Sequence, residues 1–248
     1  MLFSERDKLS NDATLMLKII ETDDAELIDE IVRSTNRQSK VQDEQFLATL
    51  DTMKAIEKFF EARGADEDHR LYFERRTHQF ADDDVKAIRV FDIKEVARAS
   101  ASMFLNRPDL ASRYPNRLTG EMRDLVFNRN YKEEIYYTSS YCLYRLLLLL
   151  SNNRIDRSYR RFRWHLLMAI RLYIEGPDSA ALMRPKIKDL CESLENFLEQ
   201  DDAKIERLGR LCAAAFPDTS VPRDELRTVS YVSEVKERVL KFRGIELP

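Results

Sequence analysis

Glycine and cysteine are both scarce in this chain. Five glycines in 248 residues leave little room for glycine-rich phosphate loops, and they favour long helices over turn-rich β architecture. The three cysteines, Cys142, Cys191 and Cys212, are too few and too scattered for a disulfide framework or a paired metal site. Each falls in a predicted helix beside apolar residues, so we expect buried free thiols in a reducing cytoplasm.

Long apolar runs are missing as well. The most apolar stretch, Cys142–Leu150, contains Arg145 and is far too short to span a bilayer. The N-terminus is charged from its fifth residue and lacks the apolar centre of a signal peptide. We therefore predict no membrane role and a cytoplasmic location. The net charge of −3 argues against a globally basic nucleic-acid binder but leaves room for a local basic patch.

The motifs of common catalytic sites are absent too: the sequence has no Walker loop, nucleophile elbow, HExxH pair or Rossmann fingerprint. Pro217-Asp218, followed by Glu234 and Lys236, looks like the PD…ExK pattern of metal-dependent nucleases. However, Glu234 and Lys236 fall in an amphipathic helix, where a separation of two residues places them about 200° apart. We therefore predict no catalytic residue, no metal ligand and no cofactor. The sequence leans against an enzyme without deciding the matter.

What the chain does contain is helical periodicity, with a few apolar runs of strand length near its start. Ala13–Ile20 is typical of a buried strand, and Leu71–Arg75 and Ile88–Ile93 are candidates for two more, paired in a surface hairpin. We predict a mainly α protein. It has a small α/β-like N-terminal portion with few short strands over residues 1–115, followed by a helical bundle over residues 116–248.

Helix start and stop signals are clear at several places. Gly64 ends a helix that begins near Asp43, and Asp92 with Glu95 forms a capping box that opens a helix to about Leu105. After residue 115 only helices are predicted: 119–127, 131–151, 154–175, 179–199, 202–216 and 223–243. The short connections between them indicate antiparallel neighbours.

The buried strand at the start of the chain raises a question about its partners. A lone strand followed by helices resembles the end of an α/β unit, and Ala13–Ile20 needs partners that the chain scarcely supplies before residue 71. We therefore expect either that the sequence is the C-terminal part of a longer protein or that the strand finds its sheet partner in another chain.

A polar cluster, Thr35–Ser39, directly follows an amphipathic helix, where a recognition loop would lie. Asn36 and Gln38 carry amide groups of the kind that reads base edges or backbone amides. The alternative is structural. In that case Asn36 caps the helix, since asparagine tolerates the left-handed conformation, and Gln38 binds the loop that follows.

A second candidate is the group Glu74, Arg75 and Arg76, which follows the aromatic pair Tyr72-Phe73. In a strand, Glu74 and Arg76 share one face while Arg75 points the other way. The arginines would then clamp a phosphate, with Glu74 orienting one of them. The alternative is an exposed cross-strand ion pair, which contributes little to stability.

The densest basic stretch has five arginines within ten residues: Arg154, Arg157, Arg160, Arg161 and Arg163. On a continuous helix, Arg157, Arg160 and Trp164 would line one side. Such a basic face with an aromatic edge suits a phosphate backbone. The alternative is a solvated helix whose arginines pair with the acidic stretches Glu192–Glu199 or Asp201–Glu206.

Three segments resemble the abortive-infection phage-resistance family, AIPR: KIIET at Lys18–Thr22, ELIDEIVRSTNRQSKVQDEQF at Glu26–Phe46 and YFERR at Tyr72–Arg76. The chain is similar to the central and C-terminal part of that family, over about residues 15–150. Members usually carry a substantial α/β portion before this point, with an N-N-G-x-T motif that is absent here, so nothing that this portion does is transferred. The resemblance implies a bacterial or phage-related role in antiviral defence, beside nucleic-acid-handling partners.

Together these features predict an antiphage defence component that binds nucleic acid or a protein partner and has no catalytic site of its own. Binding would involve Asn36, Gln38, Glu74–Arg76 and the basic stretch with Trp164. Two alternatives stay open. One is a nuclease, or part of one, whose active site needs a missing N-terminal portion or a partner. The other is a structural subunit that forms homo-oligomers through the exposed edge of the first strand.

Overall fold

Helices dominate the part of the chain that the structure describes. This computed structural model describes residues 50–177, 182, 186–199 and 201–246. The α-helices there are α1 (Asp51–Arg63), α2 (Ile93–Phe104), α3 (Pro108–Arg113), α4 (Pro115–Thr119), α5 (Arg123–Val126), α6 (Glu134–Ser151), α7 (Arg163–Glu175), α8 (Ile187–Phe197), α9 (Asp202–Ala215) and α10 (Val229–Glu246). The same ranges contain two strands of three residues each, β1 (Tyr72–Glu74) and β2 (Val90–Asp92), so the mainly α prediction is confirmed.

Two helix ends form where the sequence predicts them. α1 ends at Gly64, whose backbone N–H donates hydrogen bonds to carbonyls in the last turn of the helix. α2 begins after Asp92, whose carboxylate accepts a hydrogen bond from the backbone N–H of Glu95 at 2.7 Å. The capping box is only half made, because the Glu95 carboxylate pairs with Arg98 at 2.6 Å instead of reaching back to Asp92.

The two predicted strands do pair, but in parallel. Phe73 in β1 lies opposite Phe91 in β2, and both side chains are buried in the core. A parallel pair needs a long connection, which residues 75–89 supply as turns and a 3₁₀ helix at Ala87–Arg89. The predicted surface hairpin is therefore wrong, since the chain crosses over between the two strands and both of them contribute a phenylalanine to the core.

The single helix predicted over residues 154–175 is also wrong in its first part. Arg157–Phe162 form a 3₁₀ helix, and α7 starts only after it. Residues three apart share a face of a 3₁₀ helix, so Arg157 and Arg160 are both exposed. Trp164 lies in the first turn of α7 and points inward with 3% of its surface exposed. It therefore does not share the solvent side of the two arginines.

Two other predicted helices differ from the observed ones. The helix predicted over residues 119–127 is replaced by α4 and α5, which are separated at Gly120. The helix predicted over residues 223–243 is divided into a 3₁₀ helix at Glu225–Arg227 and α10, and α10 continues past residue 243 to Glu246. Glycine and short 3₁₀ turns thus change where helices start and stop.

α2 is the helix around which the described part of the fold is built. Nine of its twelve residues are buried, and five of these nine are alanine or serine. Such small side chains let α3, α4, α6 and α7 all pack against it. The packing joins residues on both sides of the predicted boundary between 115 and 116. The division into two domains stays a prediction, as do the strand at Ala13–Ile20 and the pair Asn36 and Gln38, which lie outside the described residues.

One buried carboxylate ties three helices together. The two carboxylate oxygens of Glu195 on α8 accept hydrogen bonds from the Thr138 hydroxyl on α6, at 2.6 Å, and from the Arg63 guanidinium at the end of α1. The same guanidinium lies 4.9 Å from the centroid of the Tyr137 ring. Burial raises the pKa of Glu195, while the Thr138 hydroxyl and the Arg63 charge oppose that rise.

Candidate anion-binding site

A basic cavity of about 280 Å³ lies between α2, α3, the start of α7 and the segment that precedes α10. The residues that line it are Arg98, Ser112, Arg161, Arg163, Trp164, Arg223, Leu226 and Arg227. Five of these eight residues are arginines, and within the described ranges no histidine, cysteine or carboxylate lines the cavity. Its chemistry is therefore that of a site for anions.

Trp164 holds two of the arginines in place. The guanidinium carbon of Arg98 lies 4.3 Å from the centroid of the Trp164 ring, and that of Arg163 lies 5.0 Å from it. A cation over an indole face is attracted by the ring quadrupole, and this ring is fixed by its burial. Two guanidiniums of like charge are thereby held against the same ring.

Two of the cavity arginines have carboxylate partners. Arg98 donates a hydrogen bond to Glu95 at 2.6 Å, and Arg227 donates one to Asp224 at 3.3 Å. Both partners are neighbours on the same stretch of chain, three residues away in each case. These two ion pairs reduce the net positive charge of the cavity.

Arg161 has a structural role in the cavity. Its guanidinium donates hydrogen bonds to the backbone carbonyls of Thr219, at 2.8 Å, and of Val221. These bonds tie the segment before α10 to the end of the 3₁₀ helix, and so they position one wall of the cavity. At the other end of the basic stretch Arg154 pairs with Asp202, as the alternative interpretation of this stretch predicts.

Arg163 and Arg223 have neither a carboxylate nor a carbonyl partner among the described residues. Burial lowers the pKa of Arg163, and the positive charges of Arg98, Arg160 and Arg223 lower it further, against the opposing effect of Glu95. A lowered pKa means that the positive charge is held at a cost in free energy. A bound anion would relieve this cost.

The predicted ligand residues Arg157 and Arg160 do not line the cavity. Arg157 donates a hydrogen bond to the carbonyl of Ser151 at 2.9 Å, which ties it back to α6. Arg160 is exposed and close enough to Arg163 to lower its pKa. Arg160 therefore extends the positive field of the cavity towards the surface. Trp164, predicted as a ligand contact, lies beneath the two arginines that stack on its ring.

Glu74, Arg75 and Arg76 are not brought together with the cavity, since none of them lines it. β1 ends at Glu74, so the two arginines follow the strand. Arg75 pairs with Glu57 on α1 at 2.9 Å, and both side chains are mostly buried. The side-chain oxygen of Gln79 accepts hydrogen bonds from the backbone N–H groups of both arginines. An ion pair is thus present between α1 and the residue that follows β1, and a ligand contact here stays a prediction.

The sequence gives no prediction for Arg98, Arg223 or Arg227. The only local signals are weak: Arg98 lies three residues after Glu95 on a helix, and Arg223 follows a proline. Nothing in the sequence places Arg98 beside Arg163 and Arg223, because that contact depends on how α2, α7 and the later segment pack.

The predicted buried thiols and the predicted helical position of Glu234 and Lys236 agree with the described part of the chain. Cys142, Cys191 and Cys212 are buried free thiols, as predicted, and burial raises the pKa of Cys191 and of Cys212 to about 12. Glu234 and Lys236 lie on α10, as predicted. In the described ranges, no three His, Cys, Asp or Glu residues are grouped so as to hold a metal ion. None of the described helices is both long and apolar enough to cross a membrane.

The comparisons with known proteins give one result. A family model described as AIPR protein matches residues 1–208, a range that includes Arg98, Arg161 and Arg163 and stops before Arg223 and Arg227. Comparison with curated proteins and with solved structures gave no match. Because the family model covers well over half of the chain, the predicted resemblance is confirmed: this chain belongs to the AIPR family, which suggests a role in abortive infection and phage defence.

Proposed function

We propose that this AIPR-family chain is an antiphage defence component that binds nucleic acid through phosphate groups at the basic cavity, without a catalytic site of its own. The observation that supports this most directly is the pair Arg163 and Arg223, two cavity arginines without an acceptor in the described part of the chain. Together with Arg98, Arg161 and Arg227 they give this cavity a local positive charge in a protein whose net charge is −3.

Phosphate is the anion that suits this arrangement. A guanidinium offers a planar fork of donors that matches two phosphate oxygens, and it keeps its charge at every physiological pH. When arginines neutralise phosphates they release counterions, so the affinity falls as the salt concentration rises. Arg160, exposed beside the cavity, would contribute to the same field.

The test is binding of the full chain to labelled single- and double-stranded DNA and RNA across a salt series. Arg163→Gln and Arg223→Gln are each expected to weaken binding about 5- to 10-fold and to reduce the slope of log K against log salt by about 1. Arg160→Ala should have a smaller effect. Arg157→Ala should have the smallest, because this side chain is tied to the carbonyl of Ser151.

The matched control is Arg210→Gln on α9. Arg210 pairs with Glu206 and Glu246 and does not line the cavity, so the variant changes the net charge equally without touching the site. Equal weakening by Arg210→Gln and the cavity variants would contradict the proposal. Cleavage in the presence of Mg²⁺ or Mn²⁺ would favour the nuclease, and absence of binding to every nucleic acid would favour a protein partner.

A further inference from the structure

The shape of the basic cavity differs from that of a groove for a continuous strand. Proteins that hold the interior of a strand use a positively charged groove that follows the backbone over several nucleotides. Here the arginines line one small space instead: Arg98 and Arg163 lie against the same Trp164 ring, and Arg223 lines the same cavity of about 280 Å³ from a separate segment. A small cavity lined by several arginines suits a compact group of high charge.

The charge of the cavity also favours a ligand group of high charge. An internal phosphodiester carries one negative charge, whereas a terminal phosphate monoester carries about −1.5 to −2 near pH 7 and has three strong acceptor oxygens. Arg163 and Arg223 are two guanidiniums without an acceptor among the described residues. A dianion would satisfy both of them, while a single diester would leave one charge uncompensated.

The site is also held in place before any ligand binds. Arg98 and Arg163 are stacked on a buried ring, and Arg161 ties the wall that carries Arg223 through its bonds to two backbone carbonyls. Preorganised donors lose little conformational entropy on binding, which favours a small and rigid ligand group.

From these three features we infer that the basic cavity selects a terminal phosphate group over the internal phosphodiesters of a strand. This inference rests on the proposed function, because it concerns the same site. The end of a nucleic-acid strand and a free nucleotide carry the same chemical group. The experiment therefore has a separate arm for each source.

The first arm compares two oligonucleotides of one sequence and length, one with a 5′-phosphate and one with a 5′-hydroxyl, on the full chain. The phosphorylated strand is expected to bind about tenfold tighter. The preference should increase between pH 5 and pH 7, because the terminal phosphate loses its second proton with a pKa of about 6. A purely structural role for the arginines would not produce this pH profile.

The second arm measures competition by a nucleoside monophosphate and by pyrophosphate. The variants Arg163→Gln and Arg223→Gln should reduce the preference for the phosphorylated strand to about twofold or less, while Arg210→Gln should retain it. Arg223 is exposed in a loop, so Arg223→Gln should leave the fold intact. It therefore tests the site even if Arg163→Gln does not fold.

The outcomes separate the inference from the proposed function. Equal affinity for the two strands would overturn the inference, and the proposed function would stand if binding still required Arg163. Binding of the monophosphate alone, with the same requirement for Arg163, would support the inference and overturn nucleic-acid binding. No binding of any strand, monophosphate or pyrophosphate would overturn both.

Discussion

At the scale of single residues, Trp164 is where core packing and the candidate site meet. Its ring is buried and carries the guanidiniums of Arg98 and Arg163. Trp164→Leu is expected to lower the free energy of unfolding by about 2–3 kcal/mol and to weaken phosphate binding about fivefold, because both guanidiniums lose their aromatic support. Trp164→Phe keeps an aromatic face, so its stability and its affinity should lie between those of the wild type and those of Trp164→Leu. Denaturant unfolding measures the stability of the wild type and the two variants. Oligonucleotide binding is measured at a temperature where all three proteins are folded. Undiminished affinity of folded Trp164→Leu would contradict it.

His165, next to this tryptophan, makes stability depend on pH. It is 1% exposed, and burial lowers its pKa to about 4, although the Asp109 carboxylate opposes the shift. An unfolded histidine titrates near 6.5. The unfolded chain therefore takes up this proton first as the pH falls, and stability is lost between pH 6.5 and pH 4. At pH 5 the loss from this residue is about 2 kcal/mol relative to pH 7.

The measurement is urea unfolding of the wild type and of His165→Leu at pH 7 and at pH 5. The variant removes the titrating group, so its stability should fall less over this range. Carboxylates titrate in both proteins and cancel in the comparison. The same loss in both proteins would show that His165 is not held neutral by the fold.

For the Glu195–Arg63 pair we expect the opposite pH dependence: the loss of stability that a substitution causes should become smaller as the pH falls. Arg63→Met leaves a buried carboxylate without its cation, and we expect a loss of about 2 kcal/mol at pH 7; the value is modest because Arg63 is 39% exposed and screened by solvent. Burial raises the pKa of Glu195. Lowering the pH towards that raised pKa protonates the carboxylate in the folded state, so the loss should shrink.

The double variant, Arg63→Met with Glu195→Gln, is the control for this pair. It removes the unpaired charge and keeps an oxygen for the Thr138 hydroxyl, and it should recover most of the stability that Arg63→Met loses. Chemical unfolding of the four proteins gives the interaction energy as a double-mutant cycle. An additive double variant would mean that the two side chains are not coupled.

At the scale of elements, two glycines with different backbone conformations should respond in opposite ways to replacement by alanine. Gly209 lies inside α9, and an added Cβ would meet only Ile155 at 3.9 Å, so Gly209→Ala should stabilise the protein by about 0.5–1 kcal/mol. Gly176 ends α7 with φ of 97°, where a side chain is strained, so Gly176→Ala should destabilise it by about 1 kcal/mol. Thermal unfolding distinguishes the two, and equal shifts would contradict the assigned backbone conformations.

The elements also show which features a sequence can predict. The end of α1 at Gly64 and the start of α2 after Asp92 depend on residues within one turn, and both were predicted correctly. The parallel direction of the β1–β2 pair depends on the path of the 15-residue connection between the strands, which no residues within one turn determine. The 3₁₀ geometry of Arg157–Phe162 has almost the same residue pattern as an α-helix, so periodicity could not separate them.

At the scale of the whole molecule, several arginines on the described surface pair with neighbouring carboxylates, as Arg117 does with Glu121 and Arg238 with Glu234. The basic stretch contributes Arg161 and Arg163 to the cavity, whereas Arg98, Arg223 and Arg227 come from other parts of the chain. Which arginines lack a partner depends on three segments that are far apart in the sequence, and no local pattern contains that information.

The bonds from Arg161 to the carbonyls of Thr219 and Val221 have a consequence for biosynthesis. A ribosome completes α2 and α7 before it reaches Arg223 and Arg227, whereas a domain generally folds as a unit. Until the later segment has emerged and its carbonyls have bonded to Arg161, the cavity lacks one of its walls. The proposed anion site can therefore be complete only late in the synthesis of the protein.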